Sequence, residues 1–575
     1  GSEEELRRKA AIPGVPLKYL RFVQVEDIEG SKRWTPAAGT FDGWPVRLAD
    51  LKTLDPCCGS GHFLVAAFLM LVPMRMELDG LTAKEAVDAV LRENIHGLEI
   101  DQRCVELAAF ALALTAWRYP GAGGYRTLPE LNVACTGLAI SAKKQDWLAL
   151  AKGEVRLENA LERLYDLFYN APTLGSLINP LRQLPTDSLF DADWEEARPR
   201  ISGALTNRQV DLFGQDEVVV EMGVVAHGLT KAAQLLTGNY HWVITNVPYL
   251  ARGKQSEPLR SFCERHYPAA KNDLATVFLD RCLEFCRKGG TTSIVLPQNW
   301  LFLTSYKKFR EQLLKNDTWH LIARLGEGGF DSSAAAGAFT ILITLSRGNA
   351  ASRGLSGDTV PAGILRGLDV SEPRTSAEKA VGLLNENIKS IEQVKQLENP
   401  DAVVALDEIQ GLKMLSDYAI GLAGVLNGDT ARFEACFWEV TQIGYVWEFE
   451  ESTVNNTIEF GGRHKVILWE GGDGQLRAFA KEAKERLHDA DRRGNAAWGR
   501  WSVGISQMRH LPATLCTGEK FDTNLAIILP KRSEYLIPIW AYCSTEQYND
   551  DVRKLSQKLN VTNASLVKVP FDLDH

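Results

Sequence analysis

The sequence predicts an α/β protein whose sheet is interrupted by an inserted helical subdomain and followed by a separate C-terminal α+β domain. Three observations predict it. Apolar strand-like runs alternate with helical patterns from about residue 51 to 345, the rhythm of βα units. Residues 142–238 break that rhythm with helical and irregular chain too long for a simple crossover. Beyond residue 375 the alternation stops, and the remaining chain holds six of the fourteen Trp residues. A length of 575 residues also exceeds what one hydrophobic core holds, so two or three domains are expected on size alone.

Residues 1–50 read as an N-terminal arm. A short apolar strand at 51–55 runs into the turn Pro56-Cys57-Cys58-Gly59-Ser60-Gly61, and an apolar helix pattern follows from Leu64. An amphipathic helix at 83–92 precedes a second strand at 95–101, and a further helix is expected at 103–117. Strand, Gly turn, helix and a second strand ending in an acid make a βαβ unit with a nucleotide-type pocket at its carboxyl edge. After the insertion the sheet resumes at 241–249, followed by a helix at 273–287, a strand at 292–296 and a helix at 305–314. Strands at 320–325 and 338–345 flank a Gly/Ser-rich loop that suits a closing hairpin. The domain would span 51–346; residues 347–375, rich in Gly, Ser, Pro and Arg, read as a linker, and 376–575 as the last domain.

Composition narrows the class without naming it. With 45% hydrophobic and 24% charged residues, the chain is neither largely disordered nor collagen-like. Its longest apolar stretch, at 62–74, is broken by Pro73 and is shorter than the roughly 18 residues that a membrane span needs. The first residues carry no apolar signal region, and a leading Gly-Ser without Met reads as an appended remnant with upstream chain missing. Ten scattered cysteines include no CxxC pair, so neither zinc nor a disulfide framework is expected, and the compartment read from this is the cytoplasm. A net charge of −9 argues against blanket nucleic-acid binding while leaving room for a local basic groove.

The chemistry concentrates in two places. Gly59 and Gly61 let the backbone approach a ligand, and the following helix presents free N–H groups there. Asp55, at the strand end, can hold an amine or hydroxyl, and Glu99, ending the next strand, can accept the two hydroxyls of a ribose. A structural β-turn is the competing reading of the Gly turn alone; Glu99 at the neighbouring strand end favours a nucleoside pocket. The spacing is not GxGxxG and lacks the Lys-Ser/Thr of a P-loop, which disfavours NAD and ATP and favours a nucleoside without a polyphosphate. The second place is Asn246-Val247-Pro248-Tyr249, a planar polar slot with a stacking face. The Asn246 side-chain oxygen and the Val247 carbonyl can each accept one N–H of an exocyclic amine, and Tyr249 can stack on the ring, worth about 1–3 kcal/mol. An ordinary Asn-x-Pro turn is the alternative.

Taken together, these segments resemble a family. Asp55-Pro-Cys-Cys-Gly-Ser-Gly-His-Phe63 is similar to the first motif of S-adenosylmethionine (SAM)-dependent amino-methyltransferases acting on DNA, and Gly97-Leu-Glu-Ile-Asp101 to the second. Asn246-Val-Pro-Tyr249 resembles their catalytic Asn-Pro-Pro-Tyr, with Val247 in place of the first Pro. Asp273-Leu-Ala-Thr-Val-Phe278 and Ile294-Val-Leu-Pro-Gln-Asn-Trp300 continue the likeness. The motif order is that of the γ class of N6-adenine DNA methyltransferases, and the size and insertion look most like type IIG restriction enzymes and phage-defence methylases of the BREX or DISARM kind. The resemblance implies a Rossmann-like SAM-dependent methyltransferase sheet and a C-terminal target-recognition domain. It also implies double-stranded DNA as partner, together with other defence-system subunits, and no membrane.

Carried over by motif, Glu99 would hold the ribose and Ile100 would pack on the SAM adenine. Asp55, Gly59 and Gly61 would line the methionine end, Pro56, Cys57 and Phe63 would be further cofactor-binding residues, and Thr35-Pro36 would be an upstream SAM-contacting pair close to the first motif. Phe330 is the best match for the family's aromatic on the far face of the base. No acid stands where the family contacts the SAM adenine amine; Cys135-Thr136-Gly137 occupies that place. The target adenine would be flipped between Tyr249 and Phe330, its amine attacking the sulfonium methyl in line, with positioning as the main catalytic device. Gly421 to Phe433 resembles the opening of a target-recognition domain, where Arg432, Lys465, Arg493, Arg500 and Lys520 are the expected phosphate or base contacts, while Trp498 and Trp501 read as core.

Four rivals remain. An N4-cytosine methyltransferase would use the same pocket, although Ser commonly replaces Asn246 there. Protein-glutamine and RNA methyltransferases use similar slots, against which the large Trp-rich C-terminal region argues. A SAM-binding recognition or sensor subunit without turnover is the nonenzymatic reading. A fused nuclease finds no PD-(D/E)xK pattern in the sequence.

Overall fold

A computed structural model describes residues 2–12, 17–26, 32–140, 142–149, 155–183, 217–330, 338–348, 363–406, 413–483, 487, 489–508, 510–555 and 560–573. The chain divides into two compact units, 1–300 with 305–394, and 301–304 with 395–575.

The first unit opens with a hairpin, β1 (Phe22–Glu26) and β2 (Lys32–Pro36), which forms its own two-stranded sheet. The large sheet is built from β3 (Thr53–Asp55), β4 (Ile95–Glu99), β5 (Asn132–Cys135), β6 (Tyr240–Asn246), β7 (Cys286–Pro297), β8 (Thr318–Gly326), β9 (Thr340–Ser346), β10 (Ile364–Asp369) and β11 (Lys389–Glu392). Its nine strands lie in the order β11-β10-β8-β9-β7-β6-β3-β4-β5. Pairing is parallel from β5 to β7 and between β8 and β10, whereas β9 and the edge strand β11 run antiparallel. The chain therefore builds outward from β3 through β4 to β5, then returns to place β6 on the other side of β3. Such a reversal opens a crevice at the carboxyl ends of the strands.

Sequence reasons for these elements are local. β3 and β4 are buried throughout their apolar positions, as central parallel strands must be. The helix His62–Asp79 packs Leu64, Phe68, Leu71 and Val72 against the helix Gln102–Arg118 and β4, forming the core of this half. Thr82 opens the next helix, Ala83–Ala89, with a capping box to Glu85. The helix Leu274–Phe285 starts at Asp273, whose carboxylate accepts from the Ala275 N–H.

Two boundaries differ from the sequence reading. β10 lies inside the stretch expected as a linker, because Leu365, Leu368 and Val370 bury themselves beside β8 despite the surrounding Gly, Ser and Arg. The helix Ser376–Asn385 and β11, expected in the last domain, complete the first unit instead. Of the expected insertion, residues 150–154 and 184–216 fall outside the described residues.

The second unit is α+β. β12 (Ala419–Ala423), β16 (Ser502–Ser506), β17 (Ala513–Cys516) and β19 (Leu525–Pro530) form one antiparallel sheet in the order β12-β19-β16-β17. β13 (Glu434–Cys436), β14 (Trp447–Glu451), β15 (Lys465–Leu468) and β18 (Lys520–Phe521) form the other, in the order β13-β15-β14-β18. Val503, Ile505, Ile528, Ile539, Tyr548 and Val552 join the first sheet to the two C-terminal helices.

Candidate active site

β3 ends at Asp55, and the turn that follows is shaped by glycine. Gly59 (φ +52°) and Gly61 (φ +87°) both take left-handed backbone, which other residues enter only with strain. A Cβ on Gly61 would lie 3.0 Å from Ala108, so the helix Gln102–Arg118 closes tightly on the turn; a Cβ on Gly59 would point into open space.

The turn is laced to β4. Cys58 N–H donates to the Leu98 carbonyl (3.0 Å), and Gly59 N–H donates to Glu99 Oε2 (2.8 Å). Glu99 Oε1 accepts from the N–H groups of Ile100 (2.8 Å) and Asp101 (3.2 Å). Three backbone donors thus aim this carboxylate, and Oε2 keeps capacity for a further donor. Ile100 beside it leaves 41% of its surface exposed, an apolar face at the strand end.

Asp55 is almost fully buried, with one carboxylate oxygen accepting from Cys57 N–H (3.1 Å). Burial lifts its pKa from 3.8 to about 7; the Thr245 hydroxyl and the Cys57 N–H pull the other way, and Glu99 adds to the rise. No Lys or Arg pairs with it among the described residues. A buried carboxylate without a cation, a carboxylate aimed at a hydroxyl, an exposed isoleucine face and a glycine opening onto free space fit the ammonium, ribose and adenine of SAM.

β6 lies beside β3, with Thr53 opposite Trp242 and Leu54 opposite Val243, and ends at Asn246. Asn246 and Pro248 are exposed, Val247 is buried and Tyr249 is half-buried. Val247 is held by packing. Its exit is fixed by Asp273, which the sequence reading quoted without giving it a role. Leu250 N–H donates to Asp273 Oδ1 (3.3 Å), Leu274 N–H to the Leu250 carbonyl (3.0 Å), and Arg252 N–H to the Asn272 carbonyl (3.0 Å). An Asn-Asp pair ahead of a helix was the available signal. The Tyr249 phenol oxygen is buried with no hydrogen-bond partner among the described residues; burial and the nearby Asp273 hold its pKa above the usual phenol range.

Asp55, Pro56, Cys57, Gly59, Gly61, Glu99 and Ile100 are therefore brought together, Phe63 lies half-buried in the first turn of the helix His62–Asp79, and Asn246 ends the next strand of the same edge. Phe330, half-buried, follows the end of β8; β6 and β8 run the same way, so β8 ends at that edge too.

Thr35 lies outside the large sheet. It sits in β2 opposite Val23. The chain just beyond it runs along the opposite, amino edge of the sheet, with Phe41 against His320 near the start of β8 (ring centroids 4.9 Å apart) and Trp44 Nε1–H donating to Thr291 Oγ1 (3.0 Å). Thr35 belongs to the hairpin, just before which Arg21 donates to the Leu383 and Glu386 carbonyls after β10.

In the second unit the expected basic contacts are mixed. Lys465 pairs with Glu434 (2.8 Å), and Lys520 pairs with Glu448 while lying over the Trp469 and Trp498 rings. Arg432, Arg493 and Arg500 are exposed. Trp498 packs edge-on against Trp469, but Trp501, expected in the core, is 52% exposed against Phe460. No three or more His, Cys, Asp or Glu residues group to hold a metal, and no helix is long and apolar enough to cross a membrane, among the described residues.

Parts of the chain are similar to known proteins. Residues 93–330 match the family of Eco57I restriction-modification methylases, and residues 39–123 match the DNA-methyltransferase domain of MmeI. This part of the chain is thus similar to restriction-modification methylases throughout. Over 290 residues, half of the chain, it is 27% identical to the adenine-specific methyltransferase PglX of Lacticaseibacillus casei. It is likewise 27% identical over 338 residues to the adenine-specific methyltransferase BrxX of Escherichia coli. The matches cover only 22% and 27% of those relatives' own lengths. Among solved structures, the type IIL restriction-modification enzyme MmeI in complex with DNA aligns at 12% identity and TM-score 0.49, over 90% of this chain and 61% of that one.

Proposed function

We propose that the chain transfers a methyl group from SAM to the N6 amine of adenine in DNA, within a restriction-modification or phage-defence system. The observation that carries this reading is the meeting of the Glu99-held Gly59 turn and exposed Asn246 at the carboxyl edge of adjacent strands. The strand order, with its reversal between β3 and β6 and its antiparallel β9, supports a Rossmann-like methyltransferase layout. The second unit would be the DNA target-recognition domain, and the cytoplasm the place of action.

SAM, when bound, supplies the electrophilic methyl. Glu99 would hold its ribose, Ile100 would pack on its adenine, and Asp55 would take its ammonium. The Asn246 side-chain oxygen and the Val247 carbonyl would each accept one N–H of the target amine, which draws the nitrogen lone pair out of the ring and points it at the methyl. Tyr249 and Phe330 would bracket the flipped base and exclude water from it. No strong base is required, since the proton leaves after attack, so most of the rate enhancement comes from orientation.

The test is incubation with labelled SAM and unmethylated DNA, digestion to nucleosides and identification of the methylated base. N6-methyladenine that disappears in Asn246→Ala is the expected result. N4-methylcytosine would replace the substrate assignment, and SAM binding with no product on any DNA would replace the enzyme by a sensor subunit.

A further inference from the structure

We infer that Ser176, carried by the inserted segment, is a positioning residue for the cofactor turn; this rests on the reading of that turn as a SAM site. Ser176 lies in the short turn Gly175–Leu177 and is 3% exposed. Its hydroxyl donates to the Pro56 carbonyl at 2.6 Å, across 120 positions of sequence.

The geometry gives that bond its consequence. The peptide unit joining Pro56 and Cys57 is gripped at both ends: its oxygen by Ser176, and its N–H by Asp55 Oδ1 at 3.1 Å. Proline offers no N–H of its own, so these two bonds set how the unit is rotated. Rotating it would withdraw the Cys57 N–H from Asp55, the buried carboxylate that faces the ligand. Ser176 therefore aims Asp55 without touching the ligand.

Ser176 is itself held. Its carbonyl accepts from Arg281 Nε (3.1 Å), and Arg281, 2% exposed, also donates to the carbonyls of Ile178 (2.8 Å) and Leu236 (3.3 Å) and to Glu284 (3.1 Å). The Ser176 hydroxyl stands 3.4 Å from Thr136 Oγ1, which donates to the Glu99 carbonyl (3.1 Å) at the end of β4. On the same side, a Cβ at Gly175 would sit 3.1 Å from Ile100 Cδ1, so the inserted segment also backs the isoleucine that would face adenine. The insertion thus supports the ammonium and adenine ends of the pocket together.

The experiment is calorimetric titration of SAM into the full chain as wild type, Ser176→Ala and Ser176→Cys, with melting temperatures and SAM- and DNA-dependent kinetics on the same samples. The Ala variant is expected to weaken SAM binding about 3- to 10-fold, the worth of one buried hydrogen bond. The thiol, a weaker donor of similar size, should fall between. KM for SAM should rise while kcat at saturating SAM and KM for DNA stay unchanged, a split that loss of folded protein does not produce. Unchanged SAM affinity in a folded variant overturns the inference alone, and the Cys variant decides if the Ala variant does not fold. A wild type that does not bind SAM overturns the cofactor reading and this inference with it.

Discussion

The two edges of the large sheet are made from the same strands and treat polar groups in opposite ways. Along the amino edge, several polar side chains close on one another, although the Trp319 indole N–H is buried there without a partner among the described residues. Trp44 Nε1 donates to Thr291 Oγ1, Trp242 Nε1 to Ser293 Oγ, and His320 Nε2 lies 2.7 Å from Ser346 Oγ. Along the carboxyl edge Asp55 is buried without a cation, Asn246 is exposed at a strand end, and the Tyr249 phenol is buried without a partner among the described residues. Closed polar networks hold a fold together, whereas polar groups left open at a strand reversal are prepared for a ligand.

The largest effect that would break this comparison is at Asn246. Asn246→Ala is expected to lower kcat at least about 100-fold while SAM binding survives, because only the acceptor for the target amine is lost. Retained turnover would show that the exposed slot is an ordinary turn. Next comes Glu99→Ala, which removes the carboxylate that gathers three backbone N–H groups; SAM affinity measured by calorimetry should weaken about 10- to 100-fold.

The Asp55 carboxyl then gives a pH signature. The folded protein holds this proton up to about pH 7, whereas the unfolded chain releases it near 3.8. The ligand-free fold therefore loses stability as pH rises between those values, and binding a cation there requires the proton to leave. SAM affinity should fall roughly tenfold from about pH 7 to about pH 5.5, and Asp55→Asn should remove that dependence while raising the melting temperature of the ligand-free protein. A flat profile in the wild type would take Asp55 out of the site.

At the amino edge the effects reverse. Trp44→Phe should cost about 1 kcal/mol in denaturant titration through its lost bond to Thr291, with SAM affinity unchanged. The smallest effect is at Thr35, where Ala should leave SAM affinity within about twofold, since it lies in a two-stranded hairpin outside the large sheet. A larger loss would show that the hairpin reaches the carboxyl edge.

Much of the candidate site was legible because its residues lie in contiguous motifs. Asp55 to Gly61 must turn sharply after a strand, so the need for left-handed backbone is written as glycine. Asn246 to Tyr249 declares itself as a polar break after an apolar strand. Glu99 ends the neighbouring strand in plain view. Asp273 was half legible, its helix-capping place visible but not its hold on Leu250.

What the sequence by itself determined is what short-range periodicity and turn chemistry encode: the βα alternation, the two strand-end motifs and the approximate start of several helices. Tertiary structure alone decided that β10 and β11 extend the sheet, that the chain beyond Thr35 runs to the amino edge, that Trp501 is half in solvent, and that Ser176 grips the turn at Pro56. The physical reason is one of range. A turn is specified by residues that touch within a few positions, whereas a strand added at the sheet margin or a hydroxyl donated across 120 residues depends on where the rest of the chain has packed, which leaves no local period to read.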